Sequence, residues 1–341
     1  MKKPIRLYWG ENYSPKSPKV IKSIEKAFGK TFVSIHLYPG SLYQKALGIL
    51  SKSFQIKPDQ IILGHGIEGL VHLTSLTFLD KGKSGGMFQP SFYVYADNLD
   101  QFTRISYPVH YAKKININHF LKYIEETQLF YLASPNTATG NYLLNKEEIE
   151  YILRQYKGVF VVDECYYGMG NQTILPWINK YDNLLIYRGF SKVTGMASLR
   201  LGIACGNKSL IEKLRFNQTD LEADTINTFS LHVVLETLPY FQELALNTKK
   251  FISEFLNFLQ PLFPQAAFLD SLVTYQFMNI KKYDTPAYKI INYMNKNGYL
   301  LSDSNFTNDS SLPFPELIKF PAPPKEHWKD FAKILKEALN Q

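Results

Sequence analysis

At 341 residues, with 45% hydrophobic and 20% charged side chains, the chain is long enough for two subdomains or one large α/β unit and ordinary in composition for a soluble globular protein. Its formal net charge of +8 comes from scattered lysines without a block of like charges, so composition points away from nucleic acid and at most toward an acidic ligand. The two cysteines, Cys165 and Cys205, lie in apolar strand-like runs, no Cys/His spacing suits a metal, and neither an apolar leader core nor an apolar run of membrane-spanning length occurs, which predicts a cytoplasmic protein with reduced thiols, no metal and no membrane partner.

In chain order, residues 1–16 read as an irregular arm that contains Glu11-Asn12-Tyr13. Ser17 is expected to cap a helix with Pro18 at its first position and Gly29 as its stop. Tyr38-Pro39-Gly40 is a turn before a second amphipathic helix from about 41 to 54. A short strand at Ile61-Ile62-Leu63 runs through Gly64-His65-Gly66 into a helix from Ile67 to Phe78. Two glycines there let the backbone approach an anion at the helix N-terminus, although a plain strand-to-helix turn reads the same way. Gly86-Met87-Phe88 is a further strand, closed by Pro90-Ser91 and followed by Phe92, Tyr93 and Tyr95. Such a cluster is either core packing or cover for the face of a planar ligand.

Thr103–Val109 and Leu129–Ala133 continue the strand series around a helix near 119–126, and a polar turn follows from Ser134 to Gly140. Asn145 and Glu148 form a capping box for the next helix. Val159-Phe160-Val161-Val162 is wholly apolar and ends on Asp163. Alternating buried strands and helices predict a mostly parallel sheet whose ligand site lies at the carboxyl ends of its strands, which is where Asp163 stands.

The next strand, Leu184-Leu185-Ile186, breaks into Gly189, Ser191 and Lys192, and the chain re-enters a strand at Leu199 beside Arg200. A lysine becomes a nucleophile when burial or a neighbouring cation lowers its ammonium pKa, and an arginine fork suits phosphate. Lys192 therefore reads as a Schiff-base lysine, with Ser191 and Arg200 for a cofactor phosphate. A surface lysine and an ordinary ion-pair arginine remain the plain alternative. Beyond Gly206 the pattern changes to a long helical region at 225–259, strand-like 267–280, a helix at 285–297, a polar loop at 303–311 and a last helix at 328–339. The expected organisation is an arm and helix at 1–35, a large domain at 36–224 and a smaller α+β domain at 225–341.

Glu11-Asn12, Ser17-Pro18, Tyr38-Pro39, Gly64-His65-Gly66, Pro90-Ser91-Phe92, Ser134-Pro135-Asn136, Asp163-Glu164-Cys165-Tyr166 and Ser191-Lys192 through Arg200 occur in the order of one family. Over nearly its whole length the chain resembles the fold-type I pyridoxal phosphate (PLP) aminotransferases, most closely the histidinol-phosphate aminotransferase branch with its threonine-phosphate decarboxylase relatives. The resemblance implies an α/β PLP-dependent transferase-like fold, with a mostly parallel seven-stranded sheet flanked by helices. It implies Lys192, Asp163 and Tyr166 as catalytic residues: Lys192 bonded to the cofactor, Asp163 on the pyridine nitrogen, Tyr166 on the phenolic oxygen. Phe92 would cover the ring, while Gly66, Ile67, Glu68, Ser191 and Arg200 would hold the phosphate. Asn136 and Thr137 belong to the cofactor turn, and Asn12, Tyr13 and Lys319 to the substrate side. A homodimer is implied as well, with Tyr38 reaching the neighbouring subunit's phosphate.

Several positions depart from the family pattern. Thr137 stands where the family has an asparagine, Ile67 where it prefers a small residue, and Gly189 where many relatives carry a hydroxyl. No arginine follows Arg215, so Lys319 takes the place of the arginine that forks a substrate carboxylate. The resemblance implies transfer of an amino group between a small amino acid, amine or amino-phosphate and a keto or aldehyde acceptor, while the missing arginine predicts that the family's usual glutamate and 2-oxoglutarate are poor substrates. A decarboxylase or lyase would use the same cofactor cage. A PLP-binding protein with impaired catalysis fits the departures, but not the intact Lys192, Asp163 and Tyr166. A nucleic-acid binder requires a clustered basic face with interleaved aromatics, which the sequence lacks.

Overall fold

A strand covered on both faces has no polar side to show, and the apolar runs of this sequence become such strands. The computed structural model describes residues 3–221, 226–301 and 314–341. It begins with a short strand β1 (Ile5–Arg6) and helices α1 (Pro18–Ser34) and α2 (Gly40–Phe54). Strand and helix then alternate through β2 (Ile61–His65), α3 (Gly66–Phe78), β3 (Ser84–Gln89), α4 (Tyr93–Leu99), β4 (Thr103–Pro108) and α5 (Ile117–Ile124). The series continues with β5 (Leu129–Ala133), α6 (Lys146–Gln155), β6 (Val159–Asp163), β7 (Leu184–Gly189), β8 (Leu201–Gly206) and α7 (Lys208–Leu221). The remainder is α8 (Thr228–Thr237), α9 (Phe241–Leu259), β9 (Ala267–Leu269), β10 (Tyr275–Asn279), α10 (Ala287–Lys296), β11 (Tyr299–Leu300), β12 (Leu317–Pro321) and α11 (Trp328–Leu339).

The expected seven-stranded sheet is present, in the order β2-β8-β7-β6-β5-β3-β4. Every pairing is parallel except those of β8, which runs antiparallel to both neighbours. Strand alternation divides the core. Phe130, Leu132, Phe160, Val162, Leu184 and Ile186 pack on the face covered by α1, α2, α6 and α8. Leu129, Tyr131, Val161, Leu185 and Tyr187 pack on the other, against α3, α4 and α7. Because β8 is reversed, its amino end lies beside the carboxyl ends of β2 and β7, with Leu201 opposite His65 and Gly202 opposite Gly189. That single edge brings together the helix start at Gly66, Asp163, the lysine turn and Arg200.

The capping box at Asn145 and Glu148 forms as expected, with both bonds at 2.8 Å. Three local expectations change. Helix α1 runs through Gly29 to Ser34, because its inner face, Val20 and Ala27, is held in the core with α8. Ser17 makes no cap bond and its hydroxyl is buried without a partner, so Pro18 alone marks the start of the helix. The long helical region divides into α8 and α9 at Leu238-Pro239-Tyr240, where proline cannot supply the helical N–H. The polar loop at 303–311 and the start of the helical region at Thr225 lie outside the described residues.

The boundary expected at 225 does not coincide with the change of core. Leu231, Val233 and Val234 of α8, and Leu244 at the start of α9, pack with the sheet. Phe251, Phe255 and Leu259, further along α9, enter the second core with α10, α11 and β12. The arm joins that second unit as well, since β1 pairs in parallel with β11 and Leu7 is buried in its core. A three-stranded sheet, β12-β10-β9, completes it.

Candidate active site

A cavity of about 520 Å³ opens at the sheet edge, between the strand ends, the arm and the second unit. Lys192 lies on its wall, in the turn after β7, and its Nζ donates to the carbonyl oxygen of Trp9. Burial lowers the basicity of the amine; Cys165, Glu11 and Glu68 oppose that shift, and the charge of Arg200 adds a smaller push in the same direction. Burial is thus the larger cause and the neighbouring arginine the smaller.

Asp163 ends β6 and is 2% exposed. The Tyr95 hydroxyl donates to its Oδ2 at 2.6 Å, and the Cys165 N–H to its Oδ1 at 2.8 Å. Burial raises the carboxyl pKa and these two bonds pull it back. Tyr166 is fully buried, and its hydroxyl, on the cavity wall, has only the Thr274 side chain beside it, without a well-aligned hydrogen bond among the described residues. The Ser91 hydroxyl is buried on that wall without a partner among the described residues. A buried unpaired hydroxyl costs on the order of 1–3 kcal/mol, so the Ser91 position calls for a partner that the described residues do not supply.

At the other end of this wall, α3 begins at Gly66 with φ +67, and a Cβ there would stand 3.0 Å from Arg200 Nη2. Glycine thus permits both the turn and the approach of the guanidinium. The N–H groups of the first turn of α3 have no partners within the helix, which is the arrangement that receives an anion. Arg200 Nη2 donates to Glu68 Oε2 at 2.7 Å, and both side chains are nearly half exposed, so an incoming anion can displace this pair at little cost. Ile67 and Gly189, two departures from the family pattern, lie against each other. The Ile67 side chain lies 3.6 Å from where a Cβ on residue 189 would be, so the larger residue on α3 occupies the room left by the smaller one after β7.

Phe92, Thr137 and Ser191 also line the cavity. Lys319, on β12, enters from the second unit, with its Nζ 5.0 Å from the Tyr275 ring centre. Burial, and then the charge of Lys192, lower its pKa to about 8. Arg6 faces the cavity too, but forms an ion pair with Glu11.

Four expected site residues are placed elsewhere. Asn136 is wholly buried and uses its side chain to shape its own turn, accepting from the Ala138 and Thr139 N–H groups and donating to the Pro90 carbonyl. The Asn12 amide donates to the carbonyls of Lys192 and Val193 and to Thr248 Oγ1, so it fixes the lysine turn from behind instead of facing the cavity. Tyr13 donates its hydroxyl to the Arg6 carbonyl and packs on the second core. Tyr38, expected at the neighbouring subunit's phosphate, is 89% exposed and does not line its own chain's cavity. Conversely, Tyr95, Ser91 and Tyr275 were not singled out as site residues. Tyr95 carried one signal, because its i,i+3 spacing from Phe92 in a helix that starts at a strand end puts both rings on one face.

Among the described residues no cluster of His, Cys, Asp and Glu is arranged to hold a metal ion, and no helix is long and apolar enough to cross a membrane. An amine of lowered basicity, a buried carboxylate and an anion cradle along one wall define a class of enzyme that handles amines through a phosphorylated carbonyl cofactor. Comparison with known proteins narrows this. The sequence profile of aminotransferase classes I and II matches residues 2–239, and the chain belongs to that family. A histidinol-phosphate aminotransferase of Thermoanaerobacter sp. (strain X514) is 30% identical over 241 residues, covering 69% of this chain and 67% of the relative. The fold matches that of a histidinol-phosphate aminotransferase from Sinorhizobium meliloti in complex with pyridoxal-5′-phosphate, with a TM-score of 0.81 and 19% identity over 99% of this chain and 91% of that one. It also matches an L-threonine-O-3-phosphate decarboxylase from Porphyromonas gingivalis, with a TM-score of 0.79 and 18% identity over 99% of this chain and 100% of that one. The protein is a PLP-dependent aminotransferase. The residues present fit the cofactor: its polar atoms would give the Ser91 and Tyr166 hydroxyls on the cavity wall a partner, and its phosphate would meet the first turn of α3.

Proposed function

We propose that Lys192 bonds the cofactor aldehyde, that Asp163 faces the ring nitrogen, Tyr166 the phenolic oxygen and Phe92 the ring face, and that the start of α3 with Ser191 and Arg200 holds the phosphate. The observation that carries this reading is the single cavity that Lys192, Asp163, Tyr166, Phe92 and Arg200 line together. When bound, PLP supplies an aldehyde for an amine and a ring that accepts the electron pair of a deprotonated carbon. The chain supplies the rest. Asp163 holds a proton at the ring nitrogen, and Tyr166 donates to the phenolic oxygen, a bond in which the Thr137 hydroxyl replaces the usual asparagine. Lys192 Nζ, once released, takes the proton from the substrate carbon and returns it. The Trp9 carbonyl, which accepts from Nζ, orients the amine toward the cavity.

For the substrate we propose a small amine or amino-phosphate. Lys319 is a point charge where a guanidinium fork would hold a carboxylate, and losing one such charged bond weakens carboxylate binding by about 1.5–3 kcal/mol. The remaining wall from the second unit is apolar, with Phe277, Phe314 and Leu317. We further propose that the protein works as a homodimer in the cytoplasm. Phe28, Phe32, Val33, Ile35 and Leu37 are 58–75% exposed along α1 and the segment after it, and a second copy is the occupant that would cover them. Tyr38 follows directly and is 89% exposed, and in such a dimer it would reach the partner's phosphate end. Both cysteines are free, as a reducing compartment requires.

The test is titration with PLP, borohydride reduction and peptide mass spectrometry, followed by a screen of amino acids, amines and amino-phosphates as donors. The expected label lies on Lys192, and donors without a carboxylate are turned over faster than glutamate. A label on another lysine overturns the site. Efficient turnover of glutamate overturns the substrate assignment.

A further inference from the structure

Behind Asp163 stands a group of buried phenols that the reaction does not use directly. Tyr95 is fully buried, does not line the cavity, and donates to Asp163 Oδ2 at 2.6 Å. Its ring is stacked on Tyr131, with centres 4.8 Å apart and planes within 4°, and meets Phe92 edge-on at 5.4 Å. Tyr131 is fixed in turn by Ser75 at 2.8 Å, and the neighbouring Tyr187 by Thr74 at 2.5 Å. One side chain thus touches the residue proposed for the ring nitrogen and the residue proposed for the ring face.

We propose that Tyr95 is a positioning residue that keeps the Asp163 carboxylate ionised and aimed at the cavity, and thereby holds the proton at the cofactor's ring nitrogen. The proposal rests on the reading of Asp163 given above. Its physical basis is the isolation of the carboxylate. Burial favours the neutral acid, and of the groups that oppose burial the Tyr95 bond is the largest, ahead of the Cys165 N–H. Burial and the charge of Asp163 push the Tyr95 phenol well above its ordinary range, so it remains a donor at any working pH. With Tyr95 on Oδ2 and Cys165 on Oδ1, the carboxylate cannot rotate without breaking a buried bond.

The experiment uses the holoenzyme with cofactor labelled with ¹⁵N at the ring nitrogen, whose NMR resonance reports whether that nitrogen is protonated. Tyr95→Phe keeps the ring contacts and removes the donor. It is expected to move the resonance toward the unprotonated position, weaken PLP binding about 10-fold, and lower kcat with little change in the KM of the amino donor. Asp163→Asn is expected to move the resonance further, and adding Tyr95→Phe to it to change nothing more. Tyr95→His restores a donor and is expected to return the resonance toward wild type, which also serves if the phenylalanine variant does not fold. A resonance that moves for Asp163→Asn but not for Tyr95→Phe overturns the role of Tyr95 and leaves that of Asp163 standing. Equal effects of Tyr95→Phe in both backgrounds overturn it too, because a packing contribution would not depend on the carboxylate. A resonance unmoved by either variant overturns the reading of Asp163 itself.

Discussion

The two ends of the cavity are built differently. The end proposed for the cofactor stands on the sheet edge, where Gly66 and Lys192 follow the ends of β2 and β7 and Asp163 ends β6, and hydrogen bonds from Tyr95, Cys165 and Asn12 fix their surroundings. The end proposed for the substrate is assembled from the arm and the second unit, with one half-buried lysine, Lys319, among apolar walls and an Arg6–Glu11 pair. The first is a cage for one fixed ligand, and its residue types follow from the cofactor's chemistry. The second sets which amine enters, and there the chain departs furthest from its family. Common chemistry with individual specificity is what this division predicts.

The largest expected effect tests the cage. Lys192→Ala removes the amine that bonds the aldehyde and moves the substrate proton, and single-turnover rates should fall by about 10⁴-fold or more. Near-wild-type turnover would break the comparison at its strong end. Asp163→Asn should retain bound PLP and lower kcat by about 10²-fold. It carries a second, opposite consequence. Burial raises the Asp163 pKa above its unfolded value, so the folded state holds this proton more tightly and loses stability as pH rises from the unfolded pKa through the folded one. Without cofactor at neutral pH, the asparagine variant should therefore unfold at a higher temperature than wild type, and a lower midpoint would show that the carboxylate is not strained by burial.

The same contrast explains what the sequence disclosed. Strands such as Val159–Asp163 were legible because burial on both faces leaves uninterrupted apolar runs, and the residue at the end of such a run is placed by topology alone. Lys192 and Arg200 stood out as charges between two apolar strands, but that stretch alone left a surface lysine and an ion-pair arginine open; the fold puts both on one cavity wall, with Arg200 paired to Glu68. Asn12 and Asn136 were assigned to the cavity because a polar side chain in a motif looks the same whether it faces a ligand or a backbone; both turned out to bond the main chain. Tyr95 read as a core aromatic since its acceptor lies 68 residues away, a distance no local pattern reports. The assignment of α8 to the second unit failed for a related reason. Its apolar face is legible, but which core it faces is decided by α1 and α2, far back in the chain.

At the substrate end the expected effects are smaller. The Lys319 amine is charged below about pH 8 and neutral above it, so the KM for an anionic substrate should rise as pH increases through that value. Lys319→Arg should abolish this rise. It should also improve kcat/KM for a dicarboxylic donor by about 10-fold, because the fork restores a bidentate contact. A pH profile that persists in the arginine variant would assign the titration to another group.

The smallest effect probes the boundary between the two ends. Gly189 carries no hydroxyl for the phosphate, and Ile67 lies 3.6 Å from where its Cβ would be, an ordinary contact that leaves little room for anything larger. Gly189→Ser alone should therefore gain no PLP affinity, because the new hydroxyl competes with the isoleucine for the same space. Ile67→Ser alone should lose a little, since it exposes apolar surface without adding a placed donor. Together they should bind PLP more tightly than the single variants predict, with a coupling of about 0.5–1 kcal/mol, or roughly 2- to 5-fold in Kd. Additive effects would mean that the two departures arose separately and that the cage tolerates each on its own. Coupling would mean that a single exchange of volume across the strand end preserved the cradle while its side-chain donors changed.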